Sequence, residues 1–490
     1  MMSVLPWQEM SSEHAVGGVG RAPWIRSIAG VALAAGLGVA TLGGCSPAGG
    51  RGGGELAWVQ RYNGPGNYKD LPAAVAISPD GHTVFVTGRS AGASLTADYA
   101  TIAYDTNTGA RRWVSRYSGP GNGLDAAAAI AVSPDGSAVF VTGQSAQKTG
   151  WAFVTIAYNS ADGSRLWLGE YPGYRPISVV VGPDGHTVFV TGAGINGSRD
   201  DFLTVAYEAA SGTMLWAARY SGPGGGAATP SELAVSPDGG TVYVTGPGPS
   251  GRGVAGTTTV AYSAATGRQV WAMQSAANPL AMTLSRSGST IFVSGAVARR
   301  VRGHWSRHYC LIAYNAATGT RRWARLYPVD GSQPAAASAT SSPDDRMVFV
   351  TGSGVRHRRT PGAGPYLTVT AAYGTATGRP LWVRRNDASS GGGTVAVSPD
   401  GRTVYVTSTA PAGPARLDDI VLAYRAATGA PLQVRKPSFA NALSYDFPGN
   451  FSINRDEQLA ISPDGRTVVT IEASARARHN PDYLTIAYRA

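Results

Sequence analysis

Three segments of the chain concentrate the side chains best suited to binding an anion. "ARRVRGHWSRHY" carries Arg299, Arg300, Arg302, His304, Arg307 and His308, with Trp305 and Tyr309 between them. "GVRHRRTPGAGPY" carries Arg356, His357, Arg358 and Arg359, and "RARARH" carries Arg476, Arg478 and His479. Guanidinium groups stay charged at every working pH and present planar donor forks, so this pattern suits carboxylate, sulfate or phosphate oxygens. The first two segments hold seven Arg and no acid, and Trp305 and Tyr309 add surfaces on which a ligand could stack. A solvated surface on an Arg-rich protein is the competing reading. His304 and His308 have no third ligand or carboxylate beside them, so no metal site is expected there.

Acid and base chemistry would need paired titratable groups. The candidates are Lys69, Asp70, Asp125, Arg175, Glu232, Asp330, Asp446, Arg455, Asp456 and Glu457, scattered singly along the chain except for the first two and the last three. Residues of this kind more often close turns, so no catalytic residue is assigned. No nucleotide-binding loop, nucleophile elbow or metalloprotease helix motif occurs, and no cofactor is called for.

The elements that must position these segments follow from a repeat. The turn "SPDG" occurs at Ser78, Ser133, Ser236, Ser398 and Ser462, with variants "GPDG" at Gly182, "SRSG" at Ser285 and "SPDD" at Ser342. Pro presets φ, Asp bonds the backbone beyond it and Gly accepts positive φ, which together make a tight hairpin. Copies recur about every 49 to 64 residues, a propeller-like period. Each unit reads as four strands, as in "AAAAIAVSP", "SAVFVTG", "AFVTIAY" and "SRLWLGEY". Runs such as "VFV" in the second strand imply burial on both faces, and an Ala-rich first strand suits a narrow central channel. The final copy ends after "YLTIAYRA", while "LAWVQRY" at 56–62 stands alone as an orphan fourth strand. Pairing the two closes a ring. The expectation is all-β: an eight-bladed propeller of four-stranded blades over 56–490, closed by the N-terminal strand.

In this topology the "SPDG" hairpins and the third-to-fourth-strand hairpins share one end of the ring. The varied loops that carry the Arg segments, and the links between blades, share the other, where propellers usually bind. The last link, "PSFANALSYDFPGNFSINRDE", is the longest and could cap the channel.

The third-to-fourth-strand hairpin carries a resemblance. Ala103, Asp105, Thr108, Gly109 and Trp113 match the A-x-D-x-x-T-G-x-x-x-W motif of eight-bladed pyrroloquinoline-quinone dehydrogenases, and the whole unit resembles the bacterial β-propeller and YVTN repeats of secreted and surface proteins. The tryptophans Trp58, Trp113, Trp167, Trp216, Trp271, Trp323 and Trp382 recur around the ring, with Gln433 at the eighth position. One cofactor needs one site, so a residue repeated in this way reads as a packing device that docks blade to blade. In the quinone enzymes, resemblance implies a vicinal Cys pair, a Ca²⁺ site and a catalytic Asp. No Cys-Cys occurs here, and no acid can be matched by motif. Fold transfers and activity does not, as in the lipoprotein of the outer-membrane assembly machine, which belongs to the same eight-bladed family.

The N-terminus reads as an address. "IAGVALAAGLGVA" at 28–40 follows Arg21 and Arg26 and ends in "TLGGC", which resembles a lipobox with Cys45 as the acylated residue. The expected organisation is a lipoprotein signal peptide over 1–45 and a Gly-rich tether over 46–55, placing the propeller at the outer face of the bacterial cytoplasmic membrane. The start codon is Met1, Met2 or Met10. With Cys45 acylated, Cys310 has no disulfide partner. The net charge of +11 favours anionic partners. The function expected is non-catalytic binding or scaffolding of an envelope protein or anionic polymer, with no nucleic acid partner. The alternatives are a diverged quinone-dependent oxidoreductase and a carbohydrate-active lyase or hydrolase.

Overall fold

The computed structural model describes residues 55–490 except 94, 122, 197–198, 223–226, 250–254, 276, 302–303, 329–334, 356–365, 388, 390–391, 414–415, 436–458 and 476–480. Its strands form eight antiparallel four-stranded sheets. Blades 1 to 7 run in chain order from inner to outer strand, with outer strands at Arg111–Tyr117, Arg165–Pro172, Met214–Tyr220, Gln269–Ser275, Arg321–Pro328, Pro380–Asn386 and Pro431–Arg435. Blade 8 takes Leu459–Ile461, Thr467–Ala475 and Pro481–Arg489 from one end of the chain and its outer strand, Leu56–Tyr62, from the other. The ring therefore closes through strand pairing, with Val59 opposite Ile486 and Tyr62 opposite Tyr483.

The middle strands are buried on both faces, as Val84, Phe85 and Val86 illustrate in blade 1. The glycine ending "VTG" follows from the inner strand's close approach. A Cβ at Gly88 would lie 2.2 Å from the carbonyl oxygen of Leu71, and the inner strand bulges at that point, between Pro72 and Ala74.

Two rings of contacts join blade to blade. In the first, the indole of each tryptophan-bearing outer strand lies over the hairpin glycine of the next blade, whose φ is positive. Trp58 covers Gly109, Trp113 covers Gly163, and the series continues through Trp382 over Gly429. A Cβ at any of these glycines would fall within 3.0 Å of the ring, so glycine is required for both its dihedral and its emptiness. Each indole N–H also donates to the carbonyl three residues before that glycine: Trp58 to Thr106 at 2.7 Å, Trp113 to Ser160 at 2.9 Å, Trp167 to Ala209 at 2.8 Å. Trp216, Trp271, Trp323 and Trp382 repeat the bond onto Ala264, Ala316, Thr375 and Ala426. Gln433 holds the tryptophan's register position, opposite Ala423. The blade it precedes has no third-to-fourth-strand hairpin, because Pro481–Arg489 and Leu56–Tyr62 are remote in sequence. The glycine that an indole would cover does not exist there.

In the second ring, the Pro of one "SPDG" turn packs near the Gly of the next blade's turn: Pro79 near Gly136, Pro134 near Gly185, and so on to Pro463 near Gly81. Between blades 5 and 6 both partners change together. Arg286 stands in place of Pro and Asp345 in place of Gly. The backbone N–H groups of Arg286 and Ser287 donate to the Asp345 carboxylate, the latter at 2.7 Å. A proline at 286 would have no N–H to give.

Polar groups shape the hairpins and support the junctions. Asp105 accepts from the Arg112 guanidinium at 2.7 Å, which holds its carboxyl at about 2, with Thr108 and Asn107 bonds adding to the effect. At the junction of blades 4 and 5, the buried Glu232 carboxylate accepts the Met282 N–H at 2.6 Å, and desolvation raises its pKa well above 4.5.

Three outcomes follow. Trp167→Ala lowers unfolding free energy in denaturant by about 3–5 kcal/mol, whereas Gln433→Trp changes it by less than about 0.5 kcal/mol. In a double-mutant cycle, Arg286→Pro and Asp345→Gly are each destabilising alone, but together they couple favourably by about 1 kcal/mol because they rebuild the Pro–Gly contact. Raised in the folded state, Glu232 contributes stability that is complete below 4.5 and declines as pH rises toward its folded value. Thermal melts of Glu232→Gln therefore lose part of the decline in stability above pH 4.5.

Candidate functional site

The blade 5 Arg segment falls at the end of the ring opposite the "SPDG" turns. In blade 5 the segment is not a loop. Thr290–Val301 and His304–Asn315 form a hairpin of two twelve-residue strands, against nine residues for the corresponding strands of blade 1. No Pro or Gly interrupts "AVARRV", so the ladder runs on. The backbone pairs Arg299 with Ser306, Arg300 with Trp305, and Ala298 with Arg307. Arg302, Arg356, Arg358, Arg359, Arg476 and Arg478 lie outside the described residues, as do Asp330, Asp446, Arg455, Asp456, Glu457 and Cys45.

Tyr309 is not a stacking surface. It is 3% exposed, with its ring centroid 6.3 Å from that of Tyr327 inside blade 5, because the alternation of the third strand turns this position into the blade seam.

The link carboxylates are buried closures. Asp70 accepts the N–H groups of Gly64 at 2.7 Å and Ala91 at 3.0 Å. Asp125 repeats this with Gly119 at 2.6 Å and Ala146 at 3.2 Å. Desolvation raises both carboxyls against those bonds. Each group spends its lone pairs on the blade-to-blade link, which leaves them as fasteners rather than acids or bases. Lys69 and Arg175 sit over the rings of their neighbours Tyr68 and Tyr174.

Arg116 was not singled out by motif, yet it joins blade 8 to blade 1. It donates to the Tyr62 hydroxyl at 2.8 Å, to the Ser90 hydroxyl at 2.7 Å and carbonyl at 3.0 Å, and to Asp98 at 2.9 Å. The signal was present in the recurring "RY" that ends several outer strands. That signal fails in blade 4, where Ser275 replaces the tyrosine, and a cavity of about 130 Å³ opens beside it. Cys310 lines that cavity. Its buried thiol is free, and desolvation pushes it up to about 12, so it is held protonated.

Among the described residues, no three His, Cys, Asp or Glu side chains gather where a metal ion could sit, and no helix is long and apolar enough to cross a membrane. The two cysteines of the chain are far apart in sequence, so the vicinal pair of the quinone enzymes has no counterpart. Among the described residues, no side-chain cluster matches the Ca²⁺ site that the resemblance implies.

Comparison with known proteins places the fold. Chaetomium thermophilum Sqt1 bound to the N-terminus of the ribosomal protein L10 superposes with a TM-score of 0.56 at 13% identity, covering 89% of this chain and 100% of that one. A quinohemoprotein alcohol dehydrogenase from Pseudomonas putida HK5 superposes with a TM-score of 0.50 at 14% identity, covering 89% of this chain and 76% of that one. No curated protein sequence matches. The profile of the PQQ_2 family, described as outer membrane protein assembly factor BamB, matches residues 153–434. That match spans more than half of a chain whose blades repeat one PQQ-like unit, and the protein belongs to this family.

Proposed function

We propose that the protein is a lipid-anchored, extracytoplasmic propeller that binds and scaffolds another envelope component and performs no catalysis. Membership in a family described as an outer membrane assembly factor carries this reading. The pattern of variation supports it. The hairpin and indole contacts at one end are nearly uniform from blade to blade, while the opposite end varies in length and charge. Varied loops on a rigid ring are where recognition is usually built. A protein partner is favoured, since the likeness to Sqt1 shows the same ring architecture in a protein solved with the N-terminus of another protein. The Arg residues at 299, 300, 302, 307, 356, 358, 359, 476 and 478, with Trp305, would supply an anion-binding patch for an acidic segment of the partner or an anionic polymer. Cys45 would hold the ring near the membrane through acyl chains, each buried CH₂ contributing about 0.8 kcal/mol.

The oxidoreductase reading keeps one favouring observation, the ring shared with a quinohemoprotein alcohol dehydrogenase. It predicts bound-quinone absorbance and dye reduction when the purified protein is reconstituted with quinone and Ca²⁺.

Charge reversal of Arg299, Arg300, Arg358 and Arg359 to Glu is expected to weaken co-purification of crosslinked envelope partners at least about tenfold, with the thermal midpoint unchanged. Retained binding would reject the patch. Cys45→Ser is expected to abolish fatty-acid labelling and move the protein from the membrane to the soluble fraction. An unlabelled wild-type Cys45 would reject the anchor.

A further inference from the structure

One outer strand stands out in two independent ways. Gln269–Ser275 of blade 4, "QVWAMQS", has no charged residue. The other outer strands carry at least one, and those of blades 1 and 5 carry three arginines each. Charges on an edge strand block the addition of a further strand. The blade 4 edge lacks that protection, and its Val270 is 50% exposed. Exposed apolar residues Met214 and Leu215 continue onto the neighbouring edge of blade 3.

The second difference is the cavity. In blade 1 the outer strand ends in Tyr117, which fills the seam toward blade 2 among Val154, Ile156 and Leu168. Its hydroxyl bonds Ser145, and its electrostatic neighbours include Glu170 and Arg165. Strand registers map these positions onto Val297, Cys310, Ile312, Arg321, Ala324 and Leu326 in blade 5. Those six residues, with Gln274, Ser275 and Ala277, line the cavity of about 130 Å³. It is the socket of Tyr117 and of Tyr99, the ring that Tyr117 meets edge-on, with Ser275 and Thr257 in their places. Two of the groups around the Tyr117 hydroxyl have also become apolar, Ser145 corresponding to Val297 and Glu170 to Leu326, while Arg165 keeps its charge as Arg321. The socket therefore suits a phenyl ring better than a phenol. An apolar cavity of about 150 Å³ accepts benzene, and this one is mostly apolar, with Gln274, Ser275 and Arg321 also in its lining.

The two differences share one strand. Trp271 and Met273 pack toward blade 5, and Ser275 is on the same face by alternation. A residue on an added strand directly opposite Ser275 would have its Cβ about 5 Å away and on that face. We propose that the outer edge of blade 4 is a β-augmentation site for an extended segment of a partner protein, and that a phenylalanine of that segment fills the empty socket between blades 4 and 5. Main-chain pairing to Gln269–Ser275 would supply affinity, and the ring would set register and specificity. The site lies on the rim of the propeller, and Val297 of its socket precedes the blade 5 Arg segment on the same strand. It rests on the partner-binding reading only for its biological use, and its test does not involve the Arg patch.

The probe is a fluorescein-labelled peptide that alternates threonine and valine around one central phenylalanine, with lysine at each end, titrated against the full chain. Binding is expected, and replacing the phenylalanine by alanine should weaken it at least about tenfold, the effect of losing one buried ring. Val270→Lys restores a charge to the edge and should weaken binding comparably without lowering the thermal midpoint. Ser275→Phe fills the socket from within. It should raise the midpoint and abolish the preference for phenylalanine over alanine. Toluene should raise the midpoint of the wild type and not that of Ser275→Phe. The proposal is overturned if the wild type does not bind the peptide, if both peptides bind equally, or if toluene leaves the wild-type midpoint unchanged.

Discussion

A flat indole resting on a glycine that has no side chain is the contact on which this molecule depends. The glycine must adopt positive φ to turn the hairpin, and the absence of a Cβ lets the ring approach. The indole N–H then finds the carbonyl three residues upstream, so the same few atoms satisfy the turn, the seam and the donor. Because each tryptophan belongs to one blade and its glycine to the next, a blade is complete only when its neighbours are present. Stability is passed around the ring rather than held within any sheet, as expected where repeats bury their hydrophobic faces against one another.

This dependence explains why departures from the repeat come in pairs. Arg286 and Asp345 exchange a Pro–Gly contact for hydrogen bonds between the same two turns. Gln433 precedes the one blade whose hairpin is replaced by strand pairing across the ends of the ring. A single change at a shared contact leaves a mismatch; a change on both sides yields a different contact of similar worth.

The architecture was legible in the sequence because the repeat encodes it redundantly. "SPDG", "VTG" and the tryptophan each mark a position in the blade, and the orphan strand ending in Tyr62 announced the closure. Side-chain environments were less legible. Tyr309 sits beside an Arg-rich segment and invited a surface role, yet strand alternation turns it into the seam. The blade 5 segment reads as a loop, yet nothing in "AVARRV" breaks a strand. The socket at Ser275 was missed for a different reason: it is an absence, visible only when the residues around Tyr117 are compared in register with their counterparts in blade 5.

Closure by the strand Leu56–Tyr62 also has a mechanical side. That strand lies at the rim, and its pairing with Pro481–Arg489 is antiparallel. Tension applied through the residues before Leu56 reaches the end of an outermost strand, where the ladder bonds can be loaded one after another instead of all at once. Resistance to such a pull falls on the indole of Trp58 beneath the turn at Gly109 and on the Arg116 guanidinium gripping Tyr62. The ring is thus latched at both ends of the strand by which it would first be pulled open.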